Sequence, residues 1–326
     1  MKMQWVRAAL VAAALGLVAC GGDDEESAQP AGENGVTKVT IGTLPIANAA
    51  PMYLGMEKGF FREEGLELAP QMAQSGNELI TSLVGGDSQF AFLGYVPVIV
   101  GRSRNLPVKV VANADNGADT VEKEWQLILS RKGSSIRKPE DLAGQTVAVN
   151  ALKGVAEVGL KAALEAEGVD PNSVKLLEVP FPEAPAALDA KRVDAIWAPE
   201  PFLTQVLSQG GQVVLAPYIS LGEFFPNGNY ATTDQYIEQN GDVVERFARA
   251  MNKSTQYAAD HPDEARATIP TFTKIPPEVA KEIRLPVWRT DVDRKQLEDL
   301  VGYTQKFGVI EEPIDVRDML WEDAGT

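Results

Sequence analysis

The residues best suited to chemistry in this sequence stand directly after short apolar runs, and they suit binding better than catalysis. Glu200 lies between Pro199 and Pro201 and follows Trp197 by three positions. Proline on both sides restricts the backbone of Glu200, so its carboxylate is held in one direction. A fixed carboxylate can accept hydrogen bonds from a small ligand, while a neighbouring indole ring packs against that ligand. We predict that Trp197 and Glu200 line a ligand site, with a solvated loop carboxylate as the alternative for Glu200.

Four predicted helix starts could supply the rest of that site. The first turn of a helix offers unpaired backbone N–H groups and the positive end of the helix dipole, which together favour anions. The predicted starts are Ala49–Met52, Ser75–Glu78, Tyr95–Val98 and Leu152–Val155. The ligand-contacting residues predicted at or beside these starts are Asn48, Tyr53, Ser75, Gly76, Asn77, Gly94, Tyr95, Leu152 and Gly154.

A purely structural role is open to several of these residues. Ser75 and Asn77 are common N-cap residues, whose side chains accept hydrogen bonds from helix N–H groups. Tyr53 fits the core face of its predicted helix, and Gly94 and Gly154 fit turns that favour glycine. No arginine falls on the predicted cleft turns, and the single lysine there could equally face solvent.

Catalytic motifs are missing from the sequence. The one histidine, His261, precedes Pro262 at a predicted helix junction, where it suits a helix end. The patterns of serine hydrolases, zinc proteases and phosphate-binding loops do not occur. We therefore predict a binding protein that is not an enzyme and that needs no metal or cofactor. Catalysis by carboxylates alone remains the open alternative.

Strand–helix–strand units position the predicted site. Thr146–Val149 reads as a buried strand, an apolar helix face ends at Gly168, and Val174–Val179 reads as the next strand. This order is typical of a parallel βαβ unit, whose ligands bind at the carboxyl ends of the strands. Here those ends are the turn Asn150–Gly154 and the segment Trp197–Phe202.

The same order of elements occurs twice. Gly65 and Gly168 close equivalent helices 103 positions apart, and Ala91 and Ala195 lie in equivalent strands 104 positions apart. We predict an α/β fold with two related lobes, although any α/β chain alternates in this way. The predicted bounds are lobe one at 37–113 plus 230–326, lobe two at 125–219, and hinge crossovers at 114–124 and 220–229.

The amino terminus reads as a lipoprotein signal. Two basic residues and an apolar run from Ala8 to Val18 precede Cys20, the only cysteine. We predict a signal peptide at 1–19, lipid on Cys20 that holds the protein to the membrane, and a flexible tether at 20–36. The net charge of −16 argues against nucleic acid, which requires a basic surface.

Four stretches resemble solute-binding proteins of ABC importers, in the branch for nitrate, sulfonates, taurine and thiamine precursors. They are Pro51–Leu66, Gly85–Phe92, Leu142–Val149 and Val193–Phe202. The resemblance implies a two-lobed type II periplasmic binding protein, each lobe a mostly parallel sheet flanked by helices. It also implies that the acid at Glu200 accepts a hydrogen bond from an amine or ring N–H of the ligand.

The same resemblance implies a function. We expect a monomer that captures a small polar or anionic organic solute, either sulfonate- or taurine-like or pyrimidine-like, and delivers it to a permease and ATPase complex. We expect it to be secreted and lipid-anchored at the outer face of the cytoplasmic membrane, or periplasmic. A sensory ligand-binding lipoprotein and a pyrimidine-synthesis enzyme on the same fold are the alternatives.

Overall fold

The computed structural model describes residues 35–322. The predicted signal peptide, the lipidation site Cys20 and most of the predicted tether lie outside these residues. Within them, none of the helices is long and apolar enough to cross a membrane. The strands are β1 (Thr37–Thr43), β2 (Leu66–Met72), β3 (Phe90–Gly94), β4 (Val108–Asn116), β5 (Gln126–Ser130), β6 (Thr146–Val149), β7 (Lys175–Glu178), β8 (Ala195–Pro199), β9 (Gln212–Leu215), β10 (Pro226–Thr233) and β11 (Val287–Trp288).

Helices surround the strands and also fill most of the chain after β10. The helices are α1 (Ala50–Lys58), α2 (Phe60–Glu63), α3 (Gly76–Gly85), α4 (Tyr95–Ser103), α5 (Val155–Ala166), α6 (Ala184–Asp189), α7 (Phe202–Ser208), α8 (Pro217–Leu221), α9 (Asp234–Gln239), α10 (Gly241–Asp260), α11 (Pro262–Thr268), α12 (Pro270–Thr273), α13 (Pro277–Ala280), α14 (Arg294–Lys306) and α15 (Val316–Met319).

The strands form two sheets. The first has six strands in the order β11-β4-β10-β3-β1-β2, and the second has five in the order β7-β6-β8-β5-β9. We call the part built on the six-stranded sheet lobe one and the part built on the five-stranded sheet lobe two. The predicted two-lobed α/β fold of a type II periplasmic binding protein is confirmed.

Both sheets are mixed rather than mostly parallel. In lobe one β1 pairs in parallel with β2 and β3, and in lobe two β6 pairs in parallel with β7 and β8. Strands β10 and β5 run antiparallel to their neighbours. Each of these two enters from the other lobe, so no helical crossover within its own sheet fixes its direction.

The chain passes between the sheets twice. It leaves lobe one after Asn116 and enters lobe two at Gln126, then leaves after Leu215 and returns at Pro226. These passages overlap the predicted hinge crossovers at 114–124 and 220–229. The predicted bounds of the lobes, and hinge motion at these segments, stay predictions.

Local sequence signals place the elements well. Gly65 and Gly168, the predicted equivalent helix ends, both adopt positive φ, at 68° and 76°. The helix that Gly65 was predicted to close is broken at Gly59, which adopts φ 82° and caps α1. Helices α8 and α9 and the two-residue strand β11 are among the elements that the sequence patterns did not predict.

Candidate functional site

A cleft lies where the carboxyl ends of strands from both lobes face each other. Its volume is about 600 Å³, counting space that opens to solvent. On the lobe-one side Gly94 ends β3. On the lobe-two side Asn150 directly follows β6, and Pro199 ends β8. The starts of α3, α4 and α5 also reach the cleft, so three of the four predicted helix starts converge there. The fourth, at α1, does not line it.

The walls of the cleft are largely aromatic and aliphatic. Phe92 belongs to lobe one and Phe181 to lobe two, while Trp125 belongs to the first passage between the lobes. Trp197 packs edge-on against Tyr218, with ring centroids 5.9 Å apart and an interplanar angle of 76°. Flat apolar walls suit a ligand that presents a flat face.

The cleft holds no charged side chain among the residues that the structure describes as lining it. Lys153 adopts a positive φ of 57° and lies in a separate, neighbouring depression with Arg104. The polar side chains that line the cleft are the amides Asn77, Gln126, Asn150 and Asn227. Amide and backbone groups are therefore the polar groups that this part of the chain offers in the cleft.

A buried polar network lies behind the cleft. Asp115 Oδ1 accepts hydrogen bonds from Asn48 Nδ2 at 2.8 Å and Asn227 Nδ2 at 2.7 Å. Asn227 Oδ1 in turn accepts one from the Tyr218 hydroxyl at 2.7 Å. The network lies beside both passages between the lobes, because Asp115 is the second-last residue of β4 and Asn227 is the second residue of β10. The absence of a side chain at Gly228 makes room for it, since a Cβ there would lie 2.2 Å from Asp115 Oδ2.

Three buried carboxyl groups lie in or near the passages between the lobes, and their pKa values are raised. Burial raises the pKa of Asp115, Glu124 and Glu200 to about 7 each. Glu124 accepts hydrogen bonds from the backbone N–H groups of Ala118, Trp125 and Gln126, which oppose the rise. Such groups bind protons more tightly in the folded chain than in the unfolded one.

These raised pKa values predict that the protein loses stability as pH rises. Between about pH 4 and pH 7 the folded state holds more protons than the unfolded state, so the free energy of unfolding falls with increasing pH. We expect unfolding in urea to show greater stability at pH 5 than at pH 8, by on the order of 2 kcal/mol per group. Asp115→Asn should reduce this difference, and equal stability at both pH values would contradict the prediction.

Glu200 does not lie in the cleft. It is fully buried, and its carboxylate accepts hydrogen bonds from Thr204 N at 3.1 Å, Thr204 Oγ1 at 2.8 Å and Arg284 N at 3.0 Å. The alternative of a solvated loop carboxylate is therefore wrong. Contact between Glu200 and a ligand stays a prediction that this geometry does not support, because the carboxylate joins β8 to the segment around Arg284.

The structure brings five of the predicted site residues together at the cleft. These are Gly76, Asn77, Gly94, Gly154 and Trp197. Leu152 lies just outside, where its carbonyl accepts a hydrogen bond from Asn77 Nδ2 at 3.5 Å. That contact and the close approach of Gly94 to Val155 link lobe one to lobe two at the cleft.

The other predicted site residues have structural partners elsewhere. Asn48 belongs to the network behind the cleft, and buried Tyr95 donates from its hydroxyl to Asn113 Oδ1 at 2.8 Å. Ser75 caps α3 by accepting from Glu78 N at 3.3 Å. Tyr53 stacks on Phe272 with centroids 4.2 Å apart, as its core interpretation required.

Sequence reasoning missed Trp125, Gln126, Asn150 and Asn227 as cleft residues. Asn150 was within reach, since it begins the turn after the predicted strand Thr146–Val149. Trp125 lies in the first passage between the lobes, and Gln126 and Asn227 lie at the starts of the strands that follow the two passages, where no periodic pattern indicates which way a side chain points.

Comparison with known proteins places the chain in a sequence family. A family model described as NMT1/THI5 like matches residues 46–265. The formylaminopyrimidine-binding protein of Halalkalibacterium halodurans is 28% identical over 236 residues, which cover 70% of this chain and 68% of that protein. The riboflavin-binding protein RibY of Chloroflexus aurantiacus is 26% identical over 225 residues, which cover 68% of this chain and 62% of that protein. The matched region thus spans about two thirds of the first relative and less than that of the second.

Solved structures share the fold. The alkanesulfonate-binding protein SsuA from Xanthomonas axonopodis pv. citri, bound to MOPS, superimposes with a TM-score of 0.72 at 17% identity. The superposition covers 90% of this chain and 99% of that one. At this identity the likeness concerns the fold alone. Further relatives bear the names of nitrate-, taurine- and aliphatic sulfonate-binding proteins, so the homologues are binding proteins rather than enzymes.

Proposed function

This chain belongs to the NMT1/THI5-like family, and from that premise we propose that it is the solute-binding protein of an ABC importer. A solute enters the cleft between the lobes and is then delivered to a permease and ATPase complex. A ligand favours the closed arrangement only through contacts that it makes in that arrangement and not in the open one. The two passages between the lobes act as the hinge.

We propose that the ligand is a small, flat, uncharged heterocycle of the pyrimidine type. The observation that carries this choice is the lining of the cleft, with four aromatic side chains and amides but no charged side chain among its described residues. A sulfonate bound there would have helix N–H groups and neutral amide N–H groups, but no cationic side chain among the described lining residues, to balance its charge. Two relatives named for flat ring compounds, a formylaminopyrimidine and riboflavin, agree with this choice.

The helix starts keep a sulfonate as the second candidate. Three helix amino termini meet at the cleft, and such termini bind anions without help from a cationic side chain. Taurine and alkanesulfonates therefore belong in any ligand survey alongside pyrimidines.

The cellular setting is also part of the proposal. The sequence pattern before Cys20 supports a secreted protein with lipid on that cysteine, held at the outer face of the cytoplasmic membrane or in the periplasm. A sensory role would use the same cleft and closure. A permease and an ATPase encoded beside this chain would favour import, and a neighbouring receptor would favour sensing.

A thermal-shift survey tests the ligand class. A ligand that binds only the folded state stabilises it by mass action and so raises the melting temperature. At a ligand concentration a hundred times Kd, the free energy of unfolding rises by about 2.7 kcal/mol. We expect formylaminopyrimidine or another aminopyrimidine to raise the melting temperature, and taurine and alkanesulfonates to raise it less. A shift with sulfonates alone would replace the first candidate by the second, and turnover of any bound compound would contradict a binding role.

A further inference from the structure

Gln126 is a buried polar residue that lines the cleft and is held in place by hydrogen bonds. It is the first residue of β5, where the chain enters lobe two, and it is 3% exposed. Its backbone N–H donates to Glu124 Oε1 at 3.2 Å, so the residue is fixed at the base of its own strand. Its side chain lines the cleft beside Trp125 and Trp197.

The orientation of the Gln126 amide is determined by a donor that cannot accept. Trp197 Nε1 donates to Gln126 Oε1 at 3.1 Å. An indole N–H is only a donor, so the amide oxygen, and not the amide nitrogen, must face the indole. The NH₂ group is thereby turned to the other side, and an amide flip would set two donors against each other.

The Gln126 amide nitrogen is itself buried and makes no hydrogen bond of normal geometry to any of residues 35–322. The Tyr218 hydroxyl donates to Asn227 Oδ1 at 2.7 Å, and its oxygen can accept one hydrogen of the Gln126 amide, an interaction that lowers the pKa of Tyr218 against the larger rise caused by burial. An NH₂ group has two hydrogens, so at least one remains for a ligand. A buried donor without a partner costs free energy, which a ligand acceptor at this position would recover.

We propose that Gln126 determines specificity by donating a hydrogen bond to an acceptor on the ring of the ligand, and that Trp197 holds it in the donating orientation. This inference rests on the proposed function and adds the direction of one hydrogen bond between the protein and the ligand. A heterocycle with an acceptor nitrogen facing Gln126 is accepted, and one with a ring N–H at the same position is rejected. Rejection is the stronger effect, because two buried donors would then face each other.

A pair of matched compounds tests the inference. The probes are a methyl-substituted aminopyrimidine, whose ring nitrogens are acceptors, and the corresponding pyrimidinone, which carries a ring N–H. Isothermal titration of the wild-type protein should show a preference for the aminopyrimidine of about tenfold or more, which corresponds to about 1.4 kcal/mol. Gln126→Met keeps the length of the side chain and removes the donor, so the preference should fall to about twofold or less.

A variant that replaces the donor by an acceptor extends the test. Gln126→Glu keeps the acceptor for Trp197 and places a second acceptor where the NH₂ group was, so it should favour the pyrimidinone. Gln209→Glu adds the same charge at an exposed position after α7 and should leave the wild-type preference unchanged. Because Gln126→Glu brings a carboxyl group close to Glu124, the Gln126→Met result decides the question if the Glu variant does not fold.

The outcomes separate the inference from the proposed function. A wild-type protein that binds neither compound overturns the role of Gln126 and the pyrimidine-type ligand, while the importer function would still be tested with sulfonates. A wild-type protein that binds them equally, or a Gln126→Met variant that keeps the full preference, overturns the role of Gln126 and leaves the importer function standing. Loss of the preference in Gln126→Met, with its folding unchanged by circular dichroism, supports the inference.

Discussion

Gly94→Ala is expected to weaken ligand binding by at least about thirtyfold while leaving the chain folded. A Cβ at Gly94 would lie 2.2 Å from Val155 Cγ2, far inside van der Waals contact. Gly94 ends β3 of lobe one and Val155 begins α5 of lobe two, so the clash acts across the cleft. The backbone at Gly94, with φ −75° and ψ 164°, suits alanine equally well, so lobe one alone has no reason to be strained.

The added methyl group therefore opposes closure rather than folding. Lobes that are a few ångströms further apart would accommodate it, but would lose the ligand contacts that both lobes supply. Isothermal titration should show a weaker Kd, and small-angle scattering with saturating ligand should show a larger radius of gyration than for the wild type. The melting temperature of the free protein should change little.

A compensating substitution identifies the cause. Val155→Ala removes Cγ2, so the double variant with Gly94→Ala should recover most of the lost affinity. Gly302→Ala, where a Cβ would meet nothing within 4 Å, is the matched control for the added methyl group. An unchanged Kd in Gly94→Ala would show that the ligand does not require the arrangement of lobes seen here.

The fold was predictable because its signals are local. Short apolar runs marked the parallel strands, and glycine after a glutamate marked equivalent helix ends in both lobes. Gly65 and Gly168 need no information from distant residues to adopt positive φ. Strand β11 could not be found in this way, because its two residues are a strand only through pairing with Asn116 and Asp115 of β4.

The site was predictable where it depends on strand ends and not where it depends on distant partners. Gly94, Gly154 and Trp197 follow from the rule that ligands bind at the carboxyl ends of parallel strands. Glu200 satisfied the same rule, yet its carboxylate bonds to the backbone of Arg284, 84 positions away. Nothing in the local sequence indicates such a partner.

The remaining cleft residues lie in the first passage between the lobes or on the strands that follow the two passages, and the sequence did not predict them. Gln126 lies on a strand whose direction is set by entry from the other lobe, so neither its facing side nor its pairing with Pro199 could be read from periodicity. Asn227 lies where the register between β10 and β4 is irregular. The usual alternation of side chains between the two faces of the sheet therefore does not predict which way Asn227 points. Strands next to a hinge pair with distant parts of the chain and in irregular register, so sequence periodicity does not predict which of their side chains reach the cleft.

Trp197→Ala is expected to cost both stability and binding. The side chain is 2% exposed, and the ring packs so closely on α5 that a Cβ at Gly159 would lie 2.9 Å from Trp197 Cη2. Removal of a buried tryptophan side chain costs about 3–5 kcal/mol. It also removes one wall of the cleft and leaves the Gln126 amide free to turn, so we expect Kd to weaken by about a hundredfold or more.

Two variants separate the wall of the cleft from the core. Trp197→Phe keeps an aromatic face but deletes the N–H that orients Gln126, so it should retain most of the stability and lose selectivity between ring acceptors and ring donors. Trp288→Ala removes another buried tryptophan, 6% exposed, from β11, away from the cleft lining, and should lower the free energy of unfolding in urea without changing Kd. If Trp197→Ala lowered stability to the same degree and also left Kd unchanged, Trp197 would be a core residue alone and the ligand would lie elsewhere. The decisive quantity is therefore the Kd of Trp197→Ala relative to that of Trp288→Ala, measured at a temperature where both variants remain folded.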